Sequence, residues 1–287
     1  MPEIPAGALS LILSVVFTSA FSLIMKHSQE KGYSVLSVGG VNYIAAAAMA
    51  AFLVSAGRIG EVSTGMWVLA ASSGIGFLVT YILLAQALRR SGVTIPTAAV
   101  QIAMVLPILA AVVLWHERLR PVQAAGVLIS VAAIVLLAPP GRKGGERLPR
   151  WAYLIVPAIF LASGATRVAQ KAITEVAPSG QQPMLALIWF GAAAVSSVGM
   201  MSFTGWPTCV GEWVAGACLG LVNLGSLVFL LRALTLIPAV IAFPAYSSLS
   251  LILVSGAAFL LWNERPGWRG GLGILIGLLS VVLVNVH

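Results

Sequence analysis

The sequence predicts an all-α membrane protein with ten transmembrane helices, arranged as two inverted five-helix repeats. Three observations carry that prediction. The 287 residues are 60% hydrophobic and only 8% charged, whereas a soluble domain carries about 25% charged residues. The chain divides into ten apolar runs, most of them near the ~20 residues that a span requires. Finally, residues 114–137 (LWHERLRPVQAAGVLISVAAIVLL) return as 261–284 (LWNERPGWRGGLGILIGLLSVVLV), 147 residues later, with nine of 24 aligned positions identical. A fixed-period echo near half the chain length marks a duplication into two halves.

So few charges cannot cover a water-facing surface, so the expected solvent is the lipid bilayer. Asp is absent and Glu occurs eight times. The net charge of +8 would suggest a polynucleotide partner in a soluble protein. Here the Lys and Arg residues fall in short gaps between apolar runs, where they act as headgroup anchors and topology signals. No basic aromatic surface is present, and no nucleic-acid partner is expected. Cys209 and Cys218 have neither metal-ligand spacing nor a disulfide framework. The first run lacks a basic leader and a small-residue cleavage site, and is expected to be a retained span rather than a signal peptide.

In chain order the expected spans are 7–26, 34–56, 66–88, 94–115, 121–138, 151–171, 183–203, 212–233, 239–262 and 267–286. The long polar interruption, 139–150 (PPGRKGGERLPR), reads as a linker. It separates a first repeat (1–138) from a second (151–287). Because each repeat has five spans, the second enters the membrane upside down. Inverted repeats are a common plan of secondary transporters, with the binding site between the halves near the midplane.

Seven of the eight tryptophans (67, 115, 151, 206, 213, 262 and 268) fall at expected span ends, as an aromatic belt requires. Trp189 is the exception. The positive-inside count puts six Lys/Arg on the side of the termini and ten on the other, which favours termini outside.

The polar residues inside spans are the candidate site. The first span carries Ser10, Ser14, Thr18, Ser22 and Lys26 at i+4 spacing, which places them along one helix face. Close helix packing by small hydroxyl residues explains Ser10 and Ser14. A cavity-lining face ending in Lys26 explains the whole stripe as well. The sixth span holds Ser163, Arg167 and Lys171 at the same spacing. For Arg167, snorkelling to the headgroups is weighed against an anion or carboxylate contact, and slightly preferred. Asn42, Tyr43, Tyr81, Gln101, Trp189, Asn223, Tyr246 and Ser247 complete the candidates. A single Tyr or Ser in a span usually packs, whereas buried Asn and Gln need a partner. Gln101 and Ser247 occupy corresponding places in the two halves. Pro107, Pro157 and Pro244 lie within spans and are expected to kink them or free carbonyls. The glycine pairs Gly74/Gly76 and Gly271/Gly273 are expected to allow close helix approach.

Glu117 and Glu264 are the best-matched charges of the two halves. A proton-coupling pair is possible chemistry, but both follow a tryptophan in a turn, so fixing that turn by capping or pairing is the favoured reading. His27, His116 and His287 sit at span ends or the terminus, without a carboxylate or cysteine cluster. No nucleotide-binding loop is present. No catalytic residue, metal or cofactor is expected.

The arrangement Ala87-Leu88, Pro96, Pro107, Glu117-Arg118, Gly126 and its second copy, Ala233-Leu234, Pro244, Glu264-Arg265, Gly273, resembles the drug/metabolite transporter superfamily, specifically its ten-span EamA-type members. The second copy lacks a counterpart of Pro107. The resemblance covers essentially the whole chain. It implies a central cavity lined by spans one to four and six to nine, supported by spans five and ten. It also implies a multi-pass protein of the cell (inner or plasma) membrane with cytoplasmic termini, against the Lys/Arg count.

The expected function is secondary transport, as an exporter or facilitator, of a small organic metabolite such as an amino acid, by alternating access with a central cavity between the two repeats. The alternative is an anionic metabolite bound by Lys26, Arg167 and Lys171. From another class, a non-transport membrane subunit or enzyme is the competing reading. The expected partners are a small-molecule substrate and the bilayer, with the chain a monomer or weak homodimer. No acid lies in a span interior, so facilitated diffusion without obligatory proton antiport is expected. The small four-span exporters that resemble this fold rely on a first-span Glu that 7–26 lacks.

Overall fold

The computed structural model describes residues 3–55, 62–91, 100–137, 152–177, 181–262 and 268–284. These residues form ten α-helices and no strand. The helices are α1 (Glu3–Glu30), α2 (Val35–Ser55), α3 (Thr64–Ser91), α4 (Val105–Leu114), α5 (Pro121–Leu137), α6 (Ala152–Val176), α7 (Gln182–Thr204), α8 (Val210–Leu236), α9 (Ala239–Trp262) and α10 (Trp268–Val284). Every expected span overlaps one of them. Five stretches are long and apolar enough to cross a membrane: Ala6–Glu30, Val35–Ser55, Thr64–Ala87, Gln182–Thr204 and Val210–Leu236. Among the described residues, the apolar stretches of α4, α5, α9 and α10 are shorter. Pro96, the linker 139–150 and the Glu264-Arg265 turn lie outside the described residues.

The fourth expected span is the least regular. A helical turn at 100–102 is separated from α4 by a turn at Ala103-Met104. Pro107 supplies the reason: it has no N–H, and its ring clashes with the carbonyl four residues earlier, that of Ala103. The chain tightens there instead. Met104 N–H bonds to Gln101 O and Leu106 N–H to Ala103 O, both at 3.2 Å. Pro157 and Pro244, by contrast, sit inside uninterrupted helices.

Two compact units form, residues 1–82 with 169–236, and residues 83–168 with 237–287. Each draws on both halves of the sequence. In the first unit, α8 packs on α1 and α2, and α2 packs on α7. The α2–α8 approach depends on Gly216 and Gly220, a small-xxx-small pair. A Cβ at Gly220 would lie 2.6 Å from the Asn42 carbonyl oxygen, and one at Gly216 2.5 Å from Val41 Cβ. Gly74 likewise faces the Trp189 carbonyl. Gly271 of α10 meets nothing within 4 Å, so close approach does not account for it.

The N-termini of α2 and α8 are tied together by Glu212. Its carboxylate accepts the Ser34 N–H at 2.7 Å and the Thr208 N–H at 2.6 Å. This satisfies donors that a helix start otherwise leaves open.

In the second unit, α5 packs on α10, and α9 packs on α4, α5 and α10. The chain leaving α4 turns through His116, which has φ 54°, the left-handed region where His is enriched among non-glycine residues. This presents Glu117 to the start of α9. Its carboxylate accepts the N–H of Ala239 at 3.1 Å and of Val240 at 3.0 Å. The turn that opens the sequence echo is thus an N-terminal cap for a helix more than a hundred residues away. Capping was the favoured reading, and its object is the distant α9 rather than the local turn.

Of the belt tryptophans, Trp67, Trp206, Trp213 and Trp268 are exposed and Trp115 is half-buried, whereas Trp189 is fully buried; Trp151 and the Trp262 side chain lie outside the description.

Candidate functional site

The second unit assembles the most informative cluster. α6 presents Ile155, Ile159, Ser163 and Arg167 along one face at i+4 spacing. Ile159 packs near Val100 and Ala87, so this face meets the segment that carries Gln101. Gly164, beside it, lets Leu106 approach, because a Cβ there would lie 2.2 Å from a Leu106 methyl carbon.

Arg167 lies ~22 Å from the start of α6 and ~14 Å from its end, at 1.5 Å rise per residue. One terminal nitrogen donates to Ser247 Oγ at 3.1 Å and the other to Gln101 Oε1 at 3.4 Å. Its guanidinium carbon stands 5.8 Å from the centre of the Tyr246 ring, within cation–π range. These contacts form a polar cage around the guanidinium. The cage has no carboxylate: among the described residues no acid pairs with Arg167. One turn earlier, the Ser163 hydroxyl is buried and has no hydrogen-bond partner.

Local structure positions each member. Gln101 sits in the turn just before the Pro107-induced break, and its carbonyl takes the Met104 N–H. Tyr246 and Ser247 lie on α9, whose start Glu117 holds. Four of the sequence candidates, Gln101, Arg167, Tyr246 and Ser247, thus come together, with Ser163 on the same face as Arg167. Gln101 comes from the first half of the sequence and the others from the second.

The first unit places its candidates in packing roles. Thr18 Oγ1 hydrogen-bonds to Ser226 Oγ, and Ser14 Oγ donates to the Ser226 carbonyl at 2.8 Å. This stripe therefore joins α1 to α8. Ser22 donates back to the Thr18 carbonyl of its own helix at 3.2 Å. Asn223 Nδ2 donates to Asn42 Oδ1 at 3.1 Å, which satisfies one end of the buried Asn42 amide; Asn42 Nδ2 has no partner. Tyr43 and Tyr81 pack edge to face and donate to the carbonyls of Phe77 and Val35. Trp189 packs on Phe77 with ring centroids 5.1 Å apart. Its indole N–H has no partner. Lys171 is buried and forms an ion pair with Glu175 one turn on. Ser226 and Glu212 escaped the sequence reading. The Thr208-x-x-x-Glu212 spacing ahead of an apolar run was the signal available for the latter.

Comparison with known proteins places this arrangement. A Haemophilus influenzae protein described as uncharacterized is 22% identical over 282 residues, covering 95% of this chain and 96% of the relative. A crystal structure shares the fold with a TM-score of 0.76 at 17% identity, covering 98% of each chain. Residues 5–138 match the model of the EamA-like transporter family. The chain is an integral membrane protein, and its residues 5–138 resemble the EamA-like transporter family, which belongs to the drug/metabolite transporter superfamily.

Proposed function

We propose that this chain is a secondary transporter of a small organic metabolite, such as an amino acid, acting as a facilitator by alternating access in a cell membrane. One observation carries the reading: Arg167, an arginine well inside a helix, is caged by neutral polar side chains from both sequence halves and is not neutralised by an acid. An ionisable group in a span is costly to insert, so a transport or binding role is its default reading. The ten-span inverted plan draws support from the packing of α2 on α7, α4 on α9 and α5 on α10. Each is a helix against the one five places later. Repeats 1–138 and 151–287 and cytoplasmic termini belong to the same proposal.

Proton coupling is disfavoured because three acids among the described residues are already engaged. Glu117 and Glu212 hold backbone amides, and Glu175 holds Lys171. The three-cation alternative loses one member, since the Lys171 charge is matched by Glu175. The test is uptake of labelled L-amino acids into proteoliposomes holding the purified chain. Uptake above that of protein-free vesicles for at least one amino acid is expected. Uptake equal to theirs for the whole set would contradict the reading.

A further inference from the structure

The cage around Arg167 is built from groups that still have hydrogens to give. Ser247 and Gln101 each meet the guanidinium through an oxygen. The hydroxyl hydrogen of Ser247 and the amide hydrogens of Gln101 are left for another acceptor. Arg167 has five N–H donors, and these two bonds use only two. Ser163 adds a hydroxyl that is 4% exposed and has no partner. It stands one turn from Arg167, on the same face. A buried hydroxyl without a partner is costly, and in native structures it marks a strained or functional place or an absent ligand. Donors on several sides, one net positive charge and no acid describe a receptor for an anion.

The charge balance narrows the anion. Arg167 is the charge of this cluster in the second unit; of the other two cations aligned in the sequence, Lys171 is paired with Glu175, and both belong to the first unit. One guanidinium matches one carboxylate, planar and bidentate. A phosphate monoester brings a second negative charge near neutral pH, and desolvating it without a second cation is unfavourable.

We infer that the solutes of this site carry a single carboxylate that docks on Arg167, Ser163, Ser247 and Gln101, and that phosphate esters are refused. This rests on the transport reading given above, and names the chemical class it selects. The Tyr246 face, already against the guanidinium, holds the arginine in place.

The test is ligand-induced thermal stabilisation of the purified full-length chain. The probes are acid and amide pairs: L-phenylalanine and phenylalaninamide, lactate and lactamide, phenylacetate and phenylacetamide. Glycerol 3-phosphate is the phosphate probe. At least one acid should raise the melting temperature. Its amide should bind about tenfold or more weakly, as expected for losing a charge-assisted contact, and glycerol 3-phosphate should have no effect. Ser163→Ala removes an unpartnered hydroxyl, so it should fold at least as stably as the wild type yet bind the acid about tenfold less tightly. Arg167→Gln should erase the difference between acid and amide. The inference is overturned if no acid stabilises the chain, if acid and amide act equally, if glycerol 3-phosphate binds best, or if Ser163→Ala leaves acid affinity unchanged. Flux of an amide as fast as its acid, unaltered in Arg167→Gln, would overturn the carboxylate assignment and leave transport standing. Carboxylate-selective binding without any flux would do the reverse.

Discussion

Arg167 on α6 donates to Ser247 Oγ on α9 across 3.1 Å, joining residues 80 positions apart. The bond matters because no acid among the described residues pairs with the arginine. Ser247→Ala removes one of its two hydrogen-bond acceptors. Loss of a hydrogen bond to a charged group costs about 1.5–3 kcal/mol. We expect a lowered melting temperature and reduced flux, with Ser247→Thr restoring most of both. Thermal denaturation and proteoliposome uptake measured on the same preparations check this.

Glu117 is predicted to act on stability rather than on coupling. Its two oxygens accept the amide hydrogens of Ala239 and Val240 at the start of α9, where a negative charge also suits the helix dipole. Glu117→Gln presents an NH2 to one of those donors and loses the charge, at an expected cost of about 1–3 kcal/mol. The melting temperature should fall while the response of flux to a pH gradient stays as in the wild type.

Gly220 and Gly199 offer a contrast within one fold. A Cβ at Gly220 meets backbone, 2.6 Å from Asn42 O and 2.9 Å from Ala46 N, whereas one at Gly199 meets nothing within 4 Å. Backbone cannot rotate aside, so Gly220→Ala should cost about 1–3 kcal/mol by overpacking. Gly199→Ala should be neutral or slightly stabilising. Comparing the melting temperatures of the two variants checks this.

Much of the fold was legible because the bilayer imposes a length rule on apolar runs. Each of the ten expected spans overlaps a helix, although α1, α3, α6, α7 and α8 extend beyond the expected bounds. The break before α4 followed from Pro107. The site was less legible because polar residues in spans serve two purposes that look alike in sequence. Thr18 and Asn42 are polar for packing, bonded to Ser226 and Asn223 on α8. Gln101 and Ser247 are polar for Arg167. Only their matching places in the two halves set the second pair apart. Lys171 read as a free cation because its partner Glu175 was placed beyond the span end. In the structure α6 runs to Val176 and brings both onto one helix.

The central claim is passive movement of a small solute. The most direct measurement reconstitutes the full chain in proteoliposomes, sets an outward gradient of a labelled amino acid found to bind, and follows efflux at equal pH on both sides. A pH gradient of either sign is then imposed. The account predicts efflux faster than from protein-free vesicles, ending at equal concentrations, with that endpoint unmoved by the pH gradient. Absence of efflux would contradict transport. Accumulation driven by the pH gradient and abolished in Glu117→Gln would contradict the passive mechanism and make that carboxylate the coupling site.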